Sequence, residues 1–302
     1  MSKRNASEDR AENMERALLS LEGLSVGDAF GETFLSSPGA AFRLHGRQLC
    51  PPPWPWTDDT QMAAGLVEVL AEHGRVDQDA LARRFAERYE PRRGYGAAAH
   101  ELMDALRSGA TWSSASRALF DGQGSLGNGS AMRVAPLGAF FAPDLDRVAE
   151  EAARSAEVTH AHPDGVAGAV AVAVAAALVW RSRGEALDAG PFLRAVAERL
   201  PAGAVRDGLA EAEKVPEWLD AAEAGRILGN GSRITAADTV PFCLWTVSCH
   251  ADSYDDALWF TASAMGDIDT TCAIVGGLLA LRCGLDGIPQ SWRESREPLP
   301  AP

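Results

Sequence analysis

Apolar residues recur along this chain at spacings of three and four, the mark of helices with one buried face, and strand-like alternation is nearly absent. Between positions 59 and 73, Met62, Leu66 and Leu70 fall at four-residue intervals with Val67 and Val69 beside them, and Gly74 follows as a stop. The same pattern predicts helices over 11–30, 59–73, 78–89, 96–107, 131–141, 145–158, 164–182, 190–199, 235–249, 253–264 and 270–283. The chain therefore reads as all-α, with one compact multi-helix domain over 11–290 and flexible ends at 1–10 and 291–302. Glycine-rich or proline-rich connections are expected over 36–55, 122–129 and 225–231. The first of these carries Pro51-Pro52-Pro53-Trp54-Pro55-Trp56, a stiff extended lead. Val166 to Trp180 is strongly apolar, but it includes Gly168 and falls short of the ~18 residues of a membrane span, so it reads as a core helix.

Composition changes this picture little. Hydrophobic residues make up 46% and charged residues 23%, ordinary for a globular domain. The net charge of −14 argues against a nonspecific grip on nucleic acid, which is held through Lys and Arg. An anionic ligand would have to be held locally, by helix N-termini, glycine-rich backbone or metal ions. Met1-Ser2-Lys3-Arg4 leads into polar sequence with no apolar leader, so a cytoplasmic protein is expected, away from membranes and monomeric. Cys50, Cys243, Cys249, Cys272 and Cys283 form no CxxC pair and are odd in number, which fits reduced thiols better than zinc or disulfides.

Chemistry enters with two short acidic motifs, Thr57-Asp58-Asp59-Thr60 and Gly266-Asp267-Ile268-Asp269-Thr270-Thr271. Each offers two carboxylates and threonine hydroxyls, the hard oxygen donors that Mg²⁺ and Mn²⁺ prefer. Each also precedes an apolar helical segment, so either alone reads equally well as a helix cap. Together they point to a divided metal site. Gly127-Asn128-Gly129-Ser130-Ala131-Met132-Arg133 places small residues before the predicted helix 131–141, so its N–H groups would reach a diphosphate and Arg133 would assist; alone it reads as a helix-entry turn. In Thr159-His160-Ala161-His162 the two imidazoles diverge, so one ligand-contacting histidine is expected, not a shared metal; for His162 a purely local role is as good a reading. Gly23, Gly27 and Gly31, four apart, let another backbone pack close, while Asp28 and Glu32 could support a metal ligand and carry a proton, respectively. Leu126-Gly-Asn-Gly-Ser130 recurs as Leu228-Gly-Asn-Gly-Ser232, read as two similar loops.

The set GDAFGE (27–32), WTDDTQMA (56–63), GNGSAMRVAPLG (127–138), THAHPDG (159–165), GSRITAADTVPFCLW (231–245) and GDIDTTCAIVGG (266–277) resembles the ADP-ribosylglycohydrolase family, in order over most of the chain. The resemblance implies that family's all-α fold and a centre of two divalent cations, Mg²⁺ or Mn²⁺. It implies cleavage of the N- or O-glycosidic bond between ADP-ribose and a protein side chain or small acceptor. By position, Thr57, Asp58 and Asp59 would bind metal from one side and Asp267, Asp269 and Thr270 from the other. Gly127, Asn128, Gly129, Ser130, Ala131, Met132, Arg133 and His160 would hold ADP-ribose, with Glu32, Asp58, Asp59 and Asp269 in catalytic roles. Two positions depart from the family pattern: Ile268 stands where many members have a polar residue, and Glu32 follows Gly31 directly where members place a glutamate several residues later. Among rivals, a prenyl-diphosphate enzyme needs a third acid where this chain has Met62, and a phosphohydrolase of the HD type needs a His-Asp pair that does not occur. A non-catalytic ADP-ribose-binding or structural member of the family is the remaining alternative, against which six intact ligand positions argue.

Overall fold

Helices α1 (Ala6–Leu35) and α15 (Ile268–Cys283) lie backbone to backbone at the centre of the computed structural model, which describes residues 6–35 and 39–299. The glycines of α1 permit this. A Cβ on Gly23, Gly27 or Gly31 would stand 2.4 Å from Gly276 O, 2.1 Å from Cys272 O and 2.6 Å from Ile268 O. Ser20 Oγ donates to Gly277 O at 2.8 Å and the Tyr254 hydroxyl to Gly23 O at 2.6 Å, so polar groups secure the seam. Around this pair pack α3 (Asp58–His73), α7 (Ala135–Phe140), α9 (Pro163–Arg181), α13 (Ala236–Cys249) and α14 (Tyr254–Ser263). Helix α9 is apolar and long enough to cross a membrane, but it is mostly buried among other helices, as the core reading expected.

The outer helices are α2 (Ala40–His45), α4 (Gln78–Arg88), α5 (Ala97–Arg107), α6 (Trp112–Ala118), α8 (Leu145–Glu157), α10 (Ala189–Ala197), α11 (Ala204–Ala212), α12 (Ala221–Leu228) and α16 (Gln290–Ser295). No strand occurs among the described residues, only isolated bridges at Trp54/Arg296 and Gly127/Thr235. The all-α expectation holds.

Several local expectations need correction. Helix α1 starts at Ala6, inside the segment read as loose, while residues 1–5 and 300–302 lie outside the described residues. The C-terminal segment is docked as far as 299: Trp292 is buried with its ring stacked on Phe30 at 4.5 Å, and Glu297 Oε1 accepts the Trp56 N–H at 3.1 Å and pairs with Arg93. The predicted helix 131–141 is cut to α7 (Ala135–Phe140), and residues 129–133 form turns, because Asn128 O accepts the N–H groups of both Ala131 and Met132. Pro136, in the first turn of α7, sets its start.

Candidate active site

The two acidic motifs meet because α1 bridges the helices they begin. Thr57 caps α3 in extended conformation, and Asp267 precedes α15. Asp28, fully buried on α1, accepts from the N–H and hydroxyl of Thr57 at 2.9 and 2.8 Å and from those of Thr60 at 3.0 and 2.5 Å. One turn further on, Gly31 abuts the backbone of Asp269. One helix thus fixes both halves, and carboxylate oxygens of Asp28, Asp59 and Asp269 lie within 4.8 Å of one another.

This cluster is electrostatically strained without a cation. Burial first, offset by its threonine hydrogen bonds, raises the Asp28 carboxyl to about 6. Burial and then the charge of Asp28 push Asp58 up to about 8. Asp59 and Asp269 are held well above the usual carboxylate range by burial and by the other carboxylates. Asp59 Oδ1 is buried with no hydrogen-bond partner among the described residues. An unpartnered oxygen amid crowded carboxylates, with no nitrogen or sulfur donor in the cluster, fits a hard divalent cation.

Asp267 is aimed by both glycine loops. Asn128 Nδ2 donates to its Oδ2 at 2.7 Å, Asn230 O accepts its N–H at 3.0 Å, and Gly231 leaves 2.5 Å between its own Cβ position and that of Asp267. The five-residue echo read as two similar loops therefore serves one aspartate.

These groups open into a cavity of about 600 Å³ lined by Asp58, Asp59, Asp267, Asp269 and Thr270 together with Gly127, Asn128, Gly129, Met132, Arg133 and His160. Other expected residues stand elsewhere. Thr57 lies outside the lining, its hydroxyl bridging Asp28 and Asp59 at 2.8 and 2.9 Å. Ser130 and Ala131 are fully buried outside the lining, with Ser130 Oγ donating to Gly165 O at 2.8 Å. Glu32, one turn beyond Asp28, is half-buried and does not line the cavity.

Arg133 lines the cavity as expected, but its Nη groups turn to the protein. Its guanidinium is buried, with Nη1 donating to Gly129 O at 2.8 Å and Nη2 to Ser155 O and Thr159 Oγ1 at 2.9 Å each. It shapes the glycine loop from behind, and burial lowers its pKa to about 9. Burial, and then Arg133, hold His160 near 3, so this imidazole is neutral. Its Nδ1 is hydrogen-bonded to Thr159 Oγ1 at 2.7 Å, which turns Nε2 toward Gly127 and Gly129. His162 caps α9 by accepting the Asp164 N–H at 3.1 Å, a local role. The sequence reading left Asp28 out of the ligand set and missed Phe120, Arg233 and Ile234 in the lining, although the Gly27-Asp28 pair one helical turn before Gly31 was a usable signal.

The sequence profile of the ADP-ribosylglycohydrolase family matches residues 9–299. The chain is 32% identical over 278 residues to the ADP-ribosylhydrolase ARH3 of Homo sapiens, spanning 80% of this chain and 74% of that protein. It is 25% identical over 303 residues to the ADP-ribosylarginine hydrolase Tri1 of Pseudomonas putida, spanning 93% and 74%. A solved structure described as an ADP-ribosylglycohydrolase-related protein complex shares the fold, with a TM-score of 0.68 at 23% identity, covering 95% of this chain and 94% of that one. With a match across nearly its whole length and the two aspartate motifs brought together, this chain belongs to the ADP-ribosylglycohydrolase family, hydrolases of glycosyl bonds.

Proposed function

We propose that this protein is a metal-dependent hydrolase that releases ADP-ribose from a modified protein side chain or small acceptor, using two divalent cations, Mg²⁺ or Mn²⁺. The observation that carries the reading is the partnerless, buried Oδ1 of Asp59 inside a carboxylate cluster that opens into the cavity. Asp58, Asp59, Asp267, Asp269 and Thr270 would hold the cations, with Asp28 and Thr57 fixing them from below. Bound there, the cations would supply Lewis acidity and a water of lowered pKa.

The protein's own groups account for the rest. Asn128 keeps Asp267 turned toward the cavity, and the neutral His160 presents Nε2 to a ligand beside the glycine loop. Departure of the acceptor leaves positive charge at the anomeric carbon, which the surrounding carboxylates stabilise electrostatically. A proton must also leave the attacking water and reach the departing acceptor, and carboxylates engaged with cations are poorly placed to carry it. Glu32, on α1 one turn beyond Asp28 and outside the ligand set, is the candidate for that role, and because it does not line the cavity it would act through a bridging water.

The test is release of ADP-ribose from defined linkages, arginine and serine among them, with Mg²⁺, Mn²⁺ or EDTA. Turnover should require a cation, and Asp269→Asn should lose both turnover and cation-induced thermal stabilisation while keeping its helical circular dichroism. Turnover undiminished by EDTA, or by that substitution, refutes the metal reading.

A further inference from the structure

The ligand proposed above carries a diphosphate, yet four aspartates line the cavity meant for it in a chain of net charge −14. The expected means of holding that diphosphate are largely missing. Residues 129–133 are turns and not the start of a helix, both Nη groups of Arg133 are committed to the protein, and His160 is neutral. Among the described residues that line the cavity, one further cation remains, Arg233.

Arg233 stands on a loop that is built, not slack. Gly229 and Gly231 have φ of +94° and +83°, and Ile234 is held at +55°, a region that β-branched residues rarely enter. The Ile234 N–H donates to Gly231 O at 2.6 Å, and the Gly231 N–H to Asp238 O at 2.9 Å. Asp238, itself buried, accepts the Arg233 N–H at 2.9 Å and pairs with its Nε at 3.4 Å. The stem of Arg233 is thereby fixed. Its Nη groups have no partner among the described residues, and the side chain is 81% exposed. This loop adjoins the glycine loop, for the Ala236 N–H donates to Leu126 O at 3.0 Å and Ile234 O lies 3.4 Å from the Cβ position of Gly127.

We propose that Arg233 is the cation that binds the diphosphate of the substrate, an inference that rests on the ADP-ribosyl reading of the cavity. Guanidinium forks match phosphate oxygens, and one reaching over Gly127 and Gly129 would offset the repulsion of the aspartates. Calorimetric titration of ADP-ribose in Mg²⁺ decides it, using wild type, Arg233→Lys, Arg233→Ala and Arg233→Glu at low and high salt. At low salt the Kd should rise by about threefold for Lys, about tenfold for Ala and more for Glu, since one charge-assisted contact is lost in steps and then reversed. High salt should weaken wild-type binding and compress the series. Melting temperatures should stay unchanged, because Asp238 keeps its bond from the residue 233 N–H. Equal Kd values across the series overturn the proposal. So does a loss that is the same for Ala and Glu and indifferent to salt, which would mark contact with the base. Failure of wild type to bind ADP-ribose removes the reading of the cavity itself, and Arg233's role with it.

Discussion

Asp59 and Arg133 are both buried and both charged by type, yet the protein treats them oppositely. Each keeps one buried atom without a partner among the described residues, Arg133 Nε and Asp59 Oδ1, but both Nη groups of Arg133 reach oxygen acceptors, whereas Asp59 sits among carboxylates that raise its pKa. Only the second arrangement asks for a ligand. The aspartates were legible in the sequence because two carboxylates and a threonine within four residues restrict the chemistry severely. Arg133 was not, since its partners Ser155 and Thr159 lie 22 and 26 residues away and a short motif does not say which way a side chain turns. Glu32 gives the sharpest test at this scale. If it carries the proton, Glu32→Gln should cut kcat by roughly 10²–10⁴ with Mg²⁺ affinity nearly unchanged, the range for one general acid or base. A single-turnover rate within about threefold of wild type, far below that range, would exclude the role.

Among elements, the contact of α1 with α15 decides the site, because it sets the distance between Asp28 and Asp269. Their close approach was readable from glycines at four-residue spacing, although the partner helix was not, since 237 (Gly31 to Ile268) or more residues separate the touching segments. Gly27→Ala should therefore act on stability and metal together. Alanine would gain roughly 1 kcal/mol of helix propensity, but its Cβ would meet Cys272 O at 2.1 Å, and overpacking of this kind costs about 1–3 kcal/mol before the helices part. Net destabilisation in urea with a weaker Mg²⁺ affinity is expected; full stability with wild-type affinity would mean the seam is looser than it stands. The long helices were legible from periodicity alone. The short ones, α2, α6, α11, α12 and α16, were missed because each is too brief for the apolar spacing to repeat, although Thr111 and Asp220 cap α6 and α12 with side-chain bonds that a reading of caps would find. Pro136 likewise showed that no helix runs unbroken from 131 to 141.

At the scale of the whole molecule, the raised carboxylates tie stability to pH. Unfolded aspartates titrate near 3.9, whereas in the folded chain Asp28 is raised to about 6, Asp58 to about 8, and Asp59 and Asp269 well above the usual range. Between these limits the folded state binds more protons than the unfolded one, so without metal its stability must fall as pH rises. Cations reverse the balance, because they bind the deprotonated oxygens and compete with protons for them. Melting curves should therefore diverge. In EDTA the midpoint should drop from about pH 5.5 to about pH 8, while in millimolar Mg²⁺ it should fall less or not at all, so that the stabilisation by metal widens with pH. The same comparison in Asp58→Asn should narrow the gap at the alkaline end, since that variant lacks a carboxylate raised to about 8. Parallel curves with and without Mg²⁺ would mean that the carboxylates lose no protons when metal arrives, and the cluster would then be a set of protonated, hydrogen-bonded acids instead of a cation site.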